Sequence, residues 1–179
     1  MAGQSDPRLL VLHGLRLKGF AEPADVATLA GLEVPEVTAQ LEQLKADDLV
    51  LYREGRLTGW ALTPAGRKAQ EEGLQAELAE CGARDALFDA YKRFLDLNHD
   101  LLSICTAWQM KDEATINDHT DAGYDRGVID RLHELHARVE PIITDLEATL
   151  DRYCGYRARL QASLDRLRAG EAEWFTKPL

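Results

Sequence analysis

No stretch of this 179-residue chain approaches ~18 consecutive apolar residues, so no membrane span and no membrane partner are expected. The N-terminus, MAGQSDPRLL, lacks a basic segment leading into a long apolar one, which argues against a secretory signal and for the cytoplasm. Cysteine is scarce: Cys81, Cys105 and Cys154 are widely spaced and form no Cys-x-x-Cys pair, excluding a zinc knuckle or a redox motif. Each lies in or beside an apolar helical stretch, where buried free thiols are expected. Positive charge is also short, with 21 Lys and Arg against 31 Asp and Glu and a net charge of −10. Residues 1–75 carry 8 basic against 11 acidic side chains, and residues 76–179 carry 13 against 20. A protein that holds nucleic acid by bulk charge is thereby excluded, although a local basic patch stays open.

What is present describes a packed protein, 45% hydrophobic and 29% charged, long enough for one large domain or two small ones. Leu9, Leu12, Leu15 and Leu17 with Val11 give a helical stripe over residues 8–18, opened by Asp6-Pro7 and stopped by Gly19. Glu22 to Leu32 reads as a short helix ending at Gly31, with Val26, Leu29 and Ala30 on one face. Val34 or Pro35 opens a third helix with Val37, Leu41 and Leu44 buried. Alternation then begins at Val50, a tight turn is expected at Glu54-Gly55, and Arg56 to Leu62 is the expected return strand. Thr63 and Pro64 begin a fourth helix. The order of three helices, a two-stranded hairpin and a helix is that of a winged helix-turn-helix domain.

The segment EVTAQLEQLKADDLVLYREGRLTGWALTPAGRKA resembles the recognition helix, wing and fourth helix of regulators of the multiple-antibiotic-resistance (MarR) type. Its best-matching stretch is LTPAGR, Leu62 to Arg67, which closes the wing in many such proteins. With the rest of the winged-helix span, residues 5–78, the resemblance covers about 40% of the chain, and it implies a winged helix-turn-helix regulator of transcription.

The second half has no strand pattern, no glycine-rich phosphate loop and no internal repeat. Residues 84–110 form a long helix in which Leu87, Tyr91, Phe94, Leu95, Leu101, Leu102, Cys105 and Trp108 recur at about 3.6-residue spacing. Polar residues 111–124 read as a loop. Val128, Leu132, Leu135, Val139, Ile142, Leu146 and Leu150 make an apolar seam along a second helix over 125–153, with a kink or break expected near Pro141. Gly155 should separate it from a last helix, Tyr156 to Ala169. YKRFLDLNHDLLSICTAWQ, NDHTDAGYD and EWFTKP loosely resemble a helical region of actinobacterial winged-helix proteins. That resemblance implies a link to phosphoenolpyruvate-utilising, dikinase-like enzymes, although no dikinase catalytic motif is present.

The expected fold is therefore mainly α: a winged helix-turn-helix domain with a small β-hairpin wing at 5–78, an all-helical domain for dimerisation or ligand sensing at 84–170, and a tail at 171–179. Thr38, Gln40 and Gln43 are the neutral hydrogen-bonding side chains assigned to base readout on the recognition helix. Arg53 and Arg56 flank the wing turn and suit phosphate or minor-groove contact. Glu33, Glu36 and Glu42 would repel phosphates, and the Asp-x-Arg wing tip common in MarR-type regulators is missing. Arg16, Lys18, Lys45, Arg67 and Lys68 could add phosphate contacts.

No catalytic arrangement emerges. Ser103 and Ser163 lack a nucleophile-elbow setting, and Cys105 has no charge beside it to activate the thiol. No enzyme and no cofactor are expected. His133, His136 and Glu140 share a helix face but match no zinc signature, and Asn117 to Asp121 fails the EF-hand pattern and reads as a capping loop; no metal is expected. The reading is a DNA-binding transcriptional regulator acting as a homodimer on duplex DNA. The seam from Val128 to Leu150 is either its dimer surface or simply the face that packs on residues 87–108. The alternative is a winged-helix protein-interaction module that binds no DNA and regulates a metabolic enzyme. A small-molecule sensor would need a pocket between the helical layers.

Overall fold

The computed structural model describes residues 3–175, which form two compact units. The first holds residues up to Arg84 together with Leu150–Gly155; the second holds Asp85–Thr149 and the residues from Tyr156 onward.

In the first unit, helix α1 is Pro7–Lys18. The Asp6 carboxylate caps it by accepting from the backbone N–H groups of Arg8 and Leu9 (2.7 and 3.4 Å), and Pro7 sits where a helix N–H would be idle. Helix α2 is Pro23–Ala30 and ends on Gly31 in the left-handed conformation, φ 67°. Helix α3 is Val34–Ala46. Strands β1, Val50–Arg53, and β2, Gly59–Leu62, pair antiparallel with Val50 opposite Leu62 and Arg53 opposite Gly59. Helix α4, Pro64–Glu80, completes the winged helix. Val11, Leu12, Leu15, Val26, Val37, Leu41, Leu44, Val50, Trp60 and Leu62 form its core.

The return strand is shorter than expected. Trp60 exchanges backbone hydrogen bonds with Ala21 (2.9 and 3.1 Å), and a Cβ on Gly59 would lie 3.0 Å from the Ala21 carbonyl oxygen. This docking holds Gly59 at φ 131°, so pairing stops there and residues 54–58 form an open loop that carries Arg56. The thiols also depart from expectation: Cys81 and Cys154 are exposed and Cys105 is half-buried.

The LTPAGR stretch is built around one backbone crossing. Thr63 Oγ1 donates to the carbonyl oxygens of Asp48 and Leu49 (2.8 and 3.1 Å) and accepts from the Gly66 N–H (3.0 Å), so one hydroxyl caps α4 and pins it to the entry of β1. Gly66 lies so close to this crossing that a Cβ there would fall 1.9 Å from the Leu49 oxygen.

The second unit contains α5 (Arg84–Gln109) apart from its first residue, α6 (Ala122–Thr149), and α7, Cys154–Arg168, whose first two residues belong to the first unit. The α6 seam is buried as its spacing requires, with Val128, Leu135 and Ile142 packed against Ala90, Leu97, Ile104 and Trp108 of α5. It is thus an internal seam, which corrects its candidacy as a dimer surface. The α5 face is corrected too: Tyr91, Phe94, Leu95 and Leu102 are exposed. Pro141 does not break α6, because apolar contacts at Leu135 and Ile142 hold the helix to α5 on both sides of it. Asp121 caps α6 by accepting from the N–H groups of Gly123 and Tyr124, each at 3.0 Å. No helix among the described residues is long and apolar enough to cross a membrane.

The chain breaks at Leu150 instead of Gly155, which lies inside α7. Leu150 is extended and fully buried in the first unit, bridged to Gly3. The Asp151 N–H donates to the Gly3 oxygen and the Ser5 N–H to the Asp151 carboxylate, both at 3.1 Å. Arg152 then forms an ion pair with Glu77 of α4, both nearly buried. His13 of α1 accepts from Gln70 Nε2 at its Nδ1, 3.2 Å away. Burial lowers the His13 pKa from its ordinary 6.5, the positive Arg152 lowers it further, and Glu77 opposes them.

Two predictions follow from these packing facts. Gly66→Ala should destabilise by about 1–3 kcal/mol through overpacking against backbone, whereas Gly127→Ala, on an open face of α6, should stabilise by about 0.5–1 kcal/mol. Urea titration of both variants checks the opposite signs. His13 should also make stability acid-sensitive. Because its folded pKa is depressed, the unfolded chain takes up a proton first, so stability is complete above about pH 6.5 and lost below it until folded His13 itself protonates. His13→Gln should flatten the loss that sets in below about pH 6.5; identical pH slopes for the two proteins would remove His13 as the cause.

Candidate nucleic-acid interface

Helix α3 presents its outward face because Val37, Leu41 and Leu44 anchor the other. Thr38 and Gln43 are exposed, as are Glu33, Glu36 and Glu42. Thr38 Oγ1 donates back to the Val34 carbonyl (2.9 Å), leaving its lone pairs as acceptors toward solvent. Gln40 departs from its assignment to the open face. It lies three residues after Val37, only about 60° around a helix of 3.6 residues per turn. It is half-buried, and its Oε1 is buried and accepts no hydrogen bond among the described residues.

The wing is held from beneath. Tyr52 donates its hydroxyl to Glu22 Oε1 (3.1 Å), a bond that raises the phenol pKa, and its ring meets Trp60 edge-on with centroids 5.5 Å apart. Lys45 of α3 places its amine 5.6 Å from the Trp60 ring centre. Arg53 ends β1 and Arg56 sits in the loop, both exposed.

Alternation along β1 turns Leu51 and Arg53 to the face opposite Val50. There they line a cleft of about 160 Å³ with Leu15, Arg16, Phe20 and Arg67. Three arginines, from the last turn of α1, the end of β1 and the first turn of α4, thus line one concavity to which α3 contributes nothing. None of Arg16, Arg53, Arg56 and Arg67 makes an ion pair among the described residues, whereas Arg8, Lys68 and Arg152 of the same unit do. Arg16 and Arg67 are individually visible in the sequence as phosphate candidates. Their convergence with Arg53 is not, because it depends on tertiary packing of α1 and α4 around the hairpin. Such a cleft can hold an anionic oxygen at more than one guanidinium.

The remaining polar clusters serve local structure. Asn117 Nδ2 donates to the Trp108 carbonyl (3.0 Å) and to Asp125 (2.8 Å), while His119 Nδ1 lies 3.0 Å from the other Asp125 oxygen. His136 lies 3.3 Å from Glu140, which also pairs with Arg157 of α7. Among the described residues no group of His, Cys, Asp and Glu is placed to hold a metal ion.

No family model and no curated protein matches the chain. Among solved structures, BpsR of Bordetella bronchiseptica, whose DNA binding is regulated by 6-hydroxynicotinic acid, aligns with 50% of this chain and 73% of its own at 25% identity and a TM-score of 0.35. The winged-helix assignment comes from the element order and core packing of the chain itself.

The two glutamines of α3 should behave differently. Gln40→Met should stabilise the fold by ~1 kcal/mol by removing an unpaired buried oxygen, and should leave DNA affinity unchanged. Gln43→Ala should leave stability unchanged and, if α3 reads base edges, cost about 1–3 kcal/mol of binding at one base position. Thermal melts and fluorescence titration on a specific fragment measure both. Loss of DNA binding in Gln40→Met would return Gln40 to the reading face.

Proposed function

We propose that this protein is a cytoplasmic transcriptional regulator of the MarR type that binds duplex DNA as a homodimer, and that it regulates without catalysing a reaction. The observation that carries this reading is the set of arginines that make no ion pair among the described residues, Arg16, Arg53, Arg56 and Arg67, on the wing and its adjoining cleft. In a chain with net charge −10, arginines kept free of carboxylate partners are available to phosphate. Thr38 and Gln43 on exposed α3 supply donors and acceptors for base edges, and two copies of a winged helix would match two half-sites.

Exposed Glu33, Glu36 and Glu42 favour a second reading, in which α3 docks on a basic surface of a partner protein, a phosphoenolpyruvate-utilising enzyme being the class implied by the helical region. Gel-shift titration at low salt over the DNA upstream of the protein's own gene tests the first reading. Arg53→Ala and Arg56→Ala should each weaken binding to all sequences and lower the salt slope by about one charge. Glu36→Gln with Glu42→Gln should tighten binding by removing repulsion. If no fragment shifts for either protein, the DNA reading fails.

A further inference from the structure

Helix α5 carries two apolar faces. Ala90, Leu97 and Ile104 recur every seventh residue and pack on α6. On the other side Phe88, Leu95 and Leu102 also recur every seventh residue, with Tyr91, Asn98 and Cys105 three positions after each. That is the heptad spacing by which one helix seats another. Yet Phe88 and Tyr91 are each 55% exposed, Leu95 46%, Leu102 58% and the flanking Phe94 42%. A largely apolar exposed stripe of this kind, interrupted by Asn98, on a charged chain marks an interaction surface.

We propose that this stripe is the dimer surface, covered by α5 of a second copy running antiparallel about a two-fold axis near Leu95. The inference rests on the homodimer reading above and names its interface. The stripe is self-complementary: with Leu95 at the axis, Phe88 of one copy meets Leu102 of the other, and Tyr91 meets His99. Charge supports the same arrangement. Lys92 and Asp96 lie on the polar edge of the stripe, and in an antiparallel pair like edges meet, so each Lys92 lies beside Asp96 of the other copy, twice by symmetry. Within one chain Asp96 has no ion-pair partner among the described residues, and Lys92 reaches only Asp89, at 3.8 Å, and the ring of Phe88. The half-buried Asn98 sets a polar position in the seam, as a residue that fixes register does.

Sedimentation equilibrium on the full chain tests this, using wild type, Leu95→Asp, Leu95→Lys and an equal mixture of the two variants, with Leu102→Asp as a second variant on the stripe. Wild type should be dimeric at micromolar concentration. Each variant should keep its circular-dichroism spectrum and melting behaviour, because Leu95 and Leu102 are exposed, and self-associate roughly 30-fold more weakly, as expected for a central interface residue. The mixture should recover the dimer, since opposite charges meet only where the residue faces itself across the axis. A monomeric wild type would overturn both the homodimer reading and this surface. A wild-type dimer that survives Leu95→Asp and Leu102→Asp would overturn the surface and leave the homodimer standing. Variants that dissociate but fail to re-pair in the mixture would overturn the axis at Leu95.

Discussion

A buried ion pair between Glu77 and Arg152 joins positions 75 residues apart and decides how the chain is organised. Taking two charges out of water is costly, and removing either partner leaves the other stranded, a loss of about 3–5 kcal/mol. The pair therefore requires that the segment after α6 return to the winged-helix unit. Leu150 buries there completely and bridges to Gly3, and Asp151 bonds the backbone at Gly3 and Ser5. Burial favours the neutral ring of His13, and the same guanidinium adds to that effect against the opposing Glu77 carboxylate. The winged unit is consequently not closed by its own first eighty-odd residues. It is completed from the far side of a long helical excursion.

This explains which parts of the fold could be read directly. Asp6-Pro7, Gly31 and Thr63-Pro64 act within one turn of their own helices, and each starts or stops a helix where local chemistry requires. The wing loop could not be read in the same way. Glu54-Gly55 has the composition of a tight turn, but pairing ends at Gly59 because Ala21, 39 residues before Trp60 and with no local signal, docks on it. Gly155 likewise has the composition of a break. The break falls at Leu150 because Gly3 and Glu77 capture residues 150–152, and Gly155 is left to continue α7.

The long helices show a different limit of periodicity. On α6 the apolar positions fill one narrow seam, so its buried face is unambiguous. On α5 they fill roughly half of the helix surface, running from Leu97 through Phe94 and Tyr91 to Phe88. Spacing alone cannot divide such an arc into the part that meets α6 and the part left over. Packing makes the division, and Phe88, Tyr91 and Phe94 fall on the unpacked part, while Trp108 falls on the packed one. The site shows the same effect on a smaller scale. Thr38 and Gln43 lie far enough around α3 from Val37 to be exposed, whereas Gln40 sits at the margin, where a long polar side chain is drawn under the surface.

The acid on α3 is compatible with DNA binding once attraction and specificity are separated. Phosphates are the same at every site, so arginines that meet them strengthen all complexes equally, while glutamates near them weaken all complexes equally. On the proposed reading, Arg16, Arg53 and Arg67 at the cleft and Arg56 on the wing attract the backbone, and Glu33, Glu36 and Glu42 on the exposed helix oppose it. The two contributions partly cancel for any sequence. What remains to separate one site from another is hydrogen bonding at Thr38 and Gln43, a small number of contacts worth about 1–3 kcal/mol each. So few contacts discriminate poorly when nonspecific attraction is strong, because the genome offers a vast excess of competing sites. A weak nonspecific background therefore suits a reader with few base contacts, and on the proposed reading two paired copies would supply the affinity that one lacks.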